Sequence, residues 1–177
     1  MKVRRVVTGH TAAGKATVAS DSEVDPITLD LMPGTEFCRL WGADEAPTFP
    51  NVGSPPAAPA YFPPVGGFRF GLFTLAPDSV AMPMDLDMQR ALAEVEDKLP
   101  GLAAHLEADN PGMHTTNSID FEYVLSGEVW LELDDGKEVH LRAGDTVVQN
   151  GTRHAWRNRN TEPCRLLFCL IGANRSS

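Results

Sequence analysis

A chain of 177 residues with 24 Asp and Glu against 15 Lys and Arg, a net charge of -9 and a pI near 4.9 lacks the basic surface that nucleic-acid binding requires. Its length suits one domain able to bury an apolar core without disulfide or metal staples. Cys38, Cys164 and Cys169 form no CxxC pair, and the opening MKVRRVVTGH has no apolar run behind its basic residues, so reduced thiols, no membrane segment and a cytoplasmic location are expected.

In chain order, β-branched residues on both sides of Ala13-Gly14 predict a hairpin with strands at 3–8 and 15–20. Gly9, four residues and Gly14-Lys15 imitate a phosphate-binding loop. Ala16, however, stands where a magnesium-ligating Ser or Thr belongs, and Thr17-Val18 continues as strand instead of opening a helix, which argues against nucleotide binding. Half of the 14 prolines (Pro47, Pro50, Pro55, Pro56, Pro59, Pro63 and Pro64) fall between 47 and 67, where they predict an extended surface arm. Strand character returns at 68–75. Leu86, Met88, Leu92, Val95 and Leu99 recur near helical spacing, predicting one helix over 85–99 that Pro100-Gly101 ends.

From His114 onward the pattern is short strands at 120–125, 128–133, 138–142, 145–149, 154–157 and 164–171. They are separated by turn residues at Ser126-Gly127, Asp134-Asp135-Gly136, Ala143-Gly144 and Asn150-Gly151. Regular short strands with such turns imply an all-β antiparallel barrel or jelly roll. The division expected is a hairpin and Pro-rich arm over 1–66 and a barrel over 67–177, within a single structural domain.

Two segments carry the chemistry. The stretch Gly112-Met113-His114-Thr115-Thr116, followed by Asp120-Phe121-Glu122-Tyr123-Val124-Leu125-Ser126-Gly127, resembles the first cupin motif, G…HxH…E…G. His114 falls on its first histidine, Thr116 on its second, Asp120 on its glutamate and Gly127 on its closing glycine. The stretch from Gly144 through Asn150-Gly151 and His154 to Asn158 resembles the second, G…PxG..H…N. Two departures stand out: Thr116 replaces a ligand histidine, and Asn150-Gly151 replaces the longer Pro-containing turn.

The resemblance implies a cupin jelly-roll barrel, that is, a double-stranded β-helix, with a divalent metal (Fe, Mn, Ni or Zn) held by His114, Asp120 and His154. Strand alternation agrees: His114 and Thr116 share a face, as do Asp120, Glu122 and Val124, and as do His154, Trp156 and Asn158. Glu122 is expected beside the metal, as a group orienting an imidazole or as a catalytic base. Met113, Thr116, Trp156 and Asn158 are expected to wall a substrate pocket. His10, His105 and His140 lie outside the motifs and are expected at the surface.

A His-carboxylate-His set is the ligand set of non-haem iron oxygenases, which favours a small-molecule dioxygenase. The alternatives are a metal-free metabolite-binding cupin, or a cupin decarboxylase, isomerase or dehydratase. Covering of edge strands by the N-terminal segment suggests a homodimer. No nucleic-acid or membrane partner is implied.

Overall fold

The computed structural model describes residues 1–176, so the last position of the expected 67–177 barrel region lies outside the described residues. Eleven strands and one helix follow in the order β1 (Val3–His10), β2 (Ala16–Val24), β3 (Ile27–Thr28), β4 (Glu36–Ala43), β5 (Phe68–Leu75), α1 (Met88–Lys98), β6 (Ser118–Ser126), β7 (Glu128–Glu132), β8 (Glu138–Arg142), β9 (Thr146–Gln149), β10 (Ala155–Arg157) and β11 (Cys164–Gly172). Two 3-10 turns follow the helix, at Ala103–His105 and Asp134–Gly136.

A six-stranded antiparallel sheet, in the order β3-β4-β5-β11-β6-β9, faces a three-stranded one, β10-β7-β8. Between them lies an apolar layer of Val124, Val129, Leu131, Leu141, Cys164 and Leu166, flanked by Trp156 and Phe73. Strand alternation builds it: along β11, Leu166, Phe168 and Leu170 are buried while Ile171 is exposed. This is the jelly-roll barrel that the turn spacing predicts. Gly127 closes the β6–β7 turn at φ 77°, where a Cβ would also lie 2.7 Å from the Pro163 carbonyl, so only glycine fits both the turn and the chain entering β11 beside it.

Three features differ from the sequence reading. Residues 21–46, to which it assigns no element, supply β3 and β4, and β4 pairs with β5 from Glu36↔Thr74 to Ala43↔Phe68. The first 66 residues therefore extend the main sheet as well as forming the hairpin and arm. The helix begins later than expected, capped by Asp87, whose side chain accepts from the Arg90 amide. Its buried face is Ala91 and Val95, continued by Leu99, while Met88 and Leu92 stay exposed. Val95 and Leu99 pack it into the cluster of Leu29, Phe37 and Tyr61.

The hairpin β1–β2 forms a separate two-stranded sheet. It rests on the outer side of the main sheet through Val3 and Val24, which pack on Cys38, Leu40 and Leu72. The Pro-rich arm has no strand and runs along the surface until Tyr61, whose amide donates to the Pro100 carbonyl at 2.8 Å and whose ring turns into the interior. Among the described residues no helix is long and apolar enough to cross a membrane.

Candidate functional site

His114 and His154 are brought together by the backbone. Their segments form an isolated antiparallel bridge in which each amide donates to the other's carbonyl at 2.9 Å. Side chains on directly opposed residues of such a bridge lie on one face, and the two imidazole centroids are 4.2 Å apart. Gly151, at φ 58°, permits this docking, since a Cβ there would lie 2.9 Å from the Thr116 carbonyl.

Both imidazoles have a defined tautomer. Nδ1 of His114 donates to the Gly112 carbonyl at 3.0 Å, and Nδ1 of His154 donates to the Thr152 carbonyl at 2.9 Å. Because a carbonyl only accepts, the proton sits on Nδ1 and the Nε2 lone pair of each ring is left free. Burial disfavours the cation in both, and for His154, with His114 as a second cause, it holds the pKa down at about 4.

Asp120 and Glu122 point inward from β6 beside this pair. Asp120 is opposite Leu170 and Gln149, and Glu122 is opposite Phe168 and Val147. Oδ1 of Asp120 and Oε2 of Glu122 are enclosed without a hydrogen-bond partner. Burial raises the Asp120 carboxyl to about 6. Burial and then the neighbouring Asp120 carboxylate raise Glu122 to about 8. Two carboxyls that share a dry site and titrate apart hold different protonation states at neutral pH.

A cavity of about 90 Å³ joins these groups. It is lined by His114, Asp120, Glu122, His154 and Trp156, and by apolar residues from β4, β5, β11, the arm and the segments around Met32 and Leu102. Five residues singled out in the sequence therefore converge here.

Three residues expected in the pocket wall lie off the lining of this cavity. Met113 is fully buried but lies off the cavity lining. Thr116 accepts a hydrogen bond from the Ser118 hydroxyl and borders a separate polar cavity with Asn117, Asn150 and Arg175. Asn158 is taken up by structure, its amide donating to the carbonyls of Leu75 and Glu162, which locks the loop between β10 and β11 onto the end of β5. Strand alternation identifies a shared face but not which stretch of that face borders empty space.

Two histidines expected at the surface are half-buried: His10 bonds the Asn51 carbonyl, and His105 packs on Phe62 with centroids 4.6 Å apart, close to the site. His140 is exposed, as expected. Sequence reasoning missed the aromatic lining, above all Tyr61 and Phe62. The signal available was an aromatic pair inside a proline run that otherwise needs no apolar side chain.

Two free imidazole nitrogens and two unpartnered carboxylate oxygens are donors of the right chemistry for a divalent metal. Their spacing is not right for one. Among the described residues no three His, Cys, Asp or Glu side chains gather closely enough to hold one ion. The expected centre of His114, Asp120 and His154 does not fit as placed. Thr116 stands at the position of the motif's second histidine, and it faces elsewhere.

Proteins similar to this chain are known. Residues 106–170 match the cupin domain family. The phomopsin biosynthesis cluster protein C' of Diaporthe leptostromiformis is 36% identical over 137 residues, which cover 70% of this chain and 70% of the relative. The cupin-domain-containing oxidoreductase fogC of Aspergillus ruber is 34% identical over 87 residues, 48% of this chain and 39% of the relative. Among solved structures, a cupin 2 conserved barrel domain protein from Salinispora arenicola aligns over 87% of this chain and 92% of its own at 18% identity, with a TM-score of 0.44. With both motifs on the barrel strands and a relative this similar over most of its length, the chain belongs to the cupin superfamily.

Proposed function

We propose that this chain is a cupin enzyme acting on a small organic molecule, in which the barrel pocket moves protons between substrate and the His114, His154, Asp120 and Glu122 side chains. The observation that carries the reading is the convergence of four titratable groups on one largely apolar cavity, two of them with oxygens that nothing in the protein satisfies. Glu122 keeps its proton at neutral pH and acts as the acid. Asp120 is largely ionised there and acts as the base, and the free Nε2 of one imidazole orients a substrate hydroxyl by accepting its hydrogen. Isomerisation and dehydration are the reaction types such a set serves. The naming of relatives as biosynthesis cluster proteins supports small-molecule chemistry.

A second reading, metal-assisted oxidation, is supported by the free Nε2 lone pairs and by relatives named oxidoreductases. Elemental analysis of protein purified without chelator separates the two: one bound metal per chain supports the second reading and overturns the first. For the first, small ketones and phenols are incubated with the enzyme in deuterium oxide and carbon-bound hydrogen exchange is followed by NMR. Exchange that falls by about 100-fold or more in Glu122→Gln is expected, and exchange equal in wild type and variant counts against acid-base work at this site.

A further inference from the structure

The geometry points to a neutral, single-ring phenol-type molecule as the ligand of the barrel pocket, an inference that rests on reading this pocket as the reaction site. The chain has 8 Phe, 3 Trp and 2 Tyr, and six of these line a cavity of only about 90 Å³: Phe37, Tyr61, Phe62, Phe73, Trp156 and Phe168. Four of them touch in series. Phe37 meets Phe73 at 5.0 Å and Tyr61 at 5.8 Å, and Tyr61 meets Phe62 at 4.9 Å, nearly edge-on in the two Tyr61 pairs. Walls of this kind favour a planar ring over a bulky aliphatic one by offset and edge contacts.

Charge selects next. Among the described residues no Lys or Arg lines the cavity, whereas Asp120 and Glu122 both do. A carboxylate ligand would bring a further negative charge into a largely apolar space with no counter-ion, which is strongly disfavoured. The polar atoms left open are the Nε2 atoms of His114 and His154, Oδ1 of Asp120 and Oε2 of Glu122. The two Nε2 atoms and the Asp120 oxygen accept and the protonated Glu122 carboxyl can donate, so the ligand must offer a group that does both. A hydroxyl on the ring does so without bringing a charge out of water.

Size sets the last limit. An apolar cavity of about 150 Å³ accommodates benzene, so 90 Å³ takes one ring only if part of the wall yields, and two fused rings do not fit. Phe62 lies on the strandless arm and is half-buried, whereas its neighbour Tyr61 is held in the core, so among the aromatic wall residues Phe62 is the gate for ring size.

Isothermal titration calorimetry with 4-methylphenol, 4-methylbenzoate, 4-methylbenzylammonium and 4-methylcyclohexanol tests this on the intact protein. The phenol is expected to bind at least tenfold more tightly than each of the other three. Equal or tighter binding of the benzoate, the ammonium or the saturated alcohol would overturn the charge or ring argument. Phe62→Ala should raise affinity for 2-naphthol at least tenfold relative to 4-methylphenol, with Phe62→Leu giving a smaller gain in the same direction. No gain in either variant, with circular dichroism showing a folded barrel, overturns the gate. Phenol binding without deuterium exchange leaves this inference standing and removes the acid-base reading. Exchange into an aliphatic ketone without phenol binding does the reverse.

Discussion

Glu122 and His154 make the stability of this barrel depend on pH in opposite directions. The Glu122 carboxyl titrates near 8 in the folded chain against an ordinary 4.5, so the folded state holds a proton that the unfolded chain releases. Its contribution is therefore fully present below about pH 4.5 and is lost as pH rises through 8. Glu122→Gln keeps the shape and removes the titration. The variant should become the more stable form above pH 8, by up to a few kcal/mol, because each pH unit separating the folded and unfolded titrations is worth about 1.4 kcal/mol. Thermal melts at pH 6, 7, 8 and 9 would read it. A gap between variant and wild type that does not change with pH would show that Glu122 is not held neutral by burial. His154 is depressed to about 4 from 6.5, so its contribution is present above pH 6.5 and is lost as pH falls through 4. With His154→Gln the loss of stability between pH 6.5 and 4 should shrink by up to about 3 kcal/mol; a variant whose acid limb matches wild type would exclude His154 as its source.

At the scale of elements, the helix α1 shows where periodicity stops being informative. Leu92 and Leu99 both fit the apolar spacing, yet Leu99 has no exposed surface and Leu92 is 45% exposed. Leu99→Ala should cost about 2–5 kcal/mol by opening a hole among Leu29, Phe37 and Leu102, whereas Leu92→Ala should change stability by no more than about 0.5 kcal/mol. Urea titration of both variants measures the contrast, and similar losses would mean the helix is seated on a different face. The bridge between His114 and His154 is the second element-scale device. It is two residues wide and depends on Gly151, so the site's geometry is held by backbone hydrogen bonds of short loops more than by a long strand pair.

For the whole molecule, the unbalanced feature is the outer face of the six-stranded sheet. Phe70, Phe121, Tyr123 and Val148 are exposed there side by side, Phe121 being opposite Val148 in the β6–β9 register. The hairpin that covers the Cys38 and Leu72 part of this face leaves β2 exposed along most of its length, and a lone two-stranded hairpin is marginal in water. A second copy of the chain, laid across this face with its hairpin over the partner, would cover both. Light scattering at micromolar concentration should give twice the 19.2 kDa of one chain, and Val148→Glu should return it to one. A wild-type mass of one chain would refute the dimer.

Much of this protein is set by local pattern. The alternation at 120–125 and 164–171, and the glycines at 127, 144 and 151, determine strand positions and turns because side-chain period and positive φ are properties of a few adjacent residues. The grouping of His114, Asp120, Glu122 and His154 comes from the resemblance to the cupin motifs, since alternation only places Asp120 and Glu122 on one face of their own strand. Tertiary structure alone decided the rest. β4 carries no alternation strong enough to announce it and exists because β5 offers it a partner. Asn158 and Thr116 share faces with site residues but are consumed by loop carbonyls and by Ser118. Tyr61 and Phe62 reach the pocket only because the Tyr61 amide is tied to the Pro100 carbonyl, far along the chain, and a contact between distant segments leaves no periodic trace in either one.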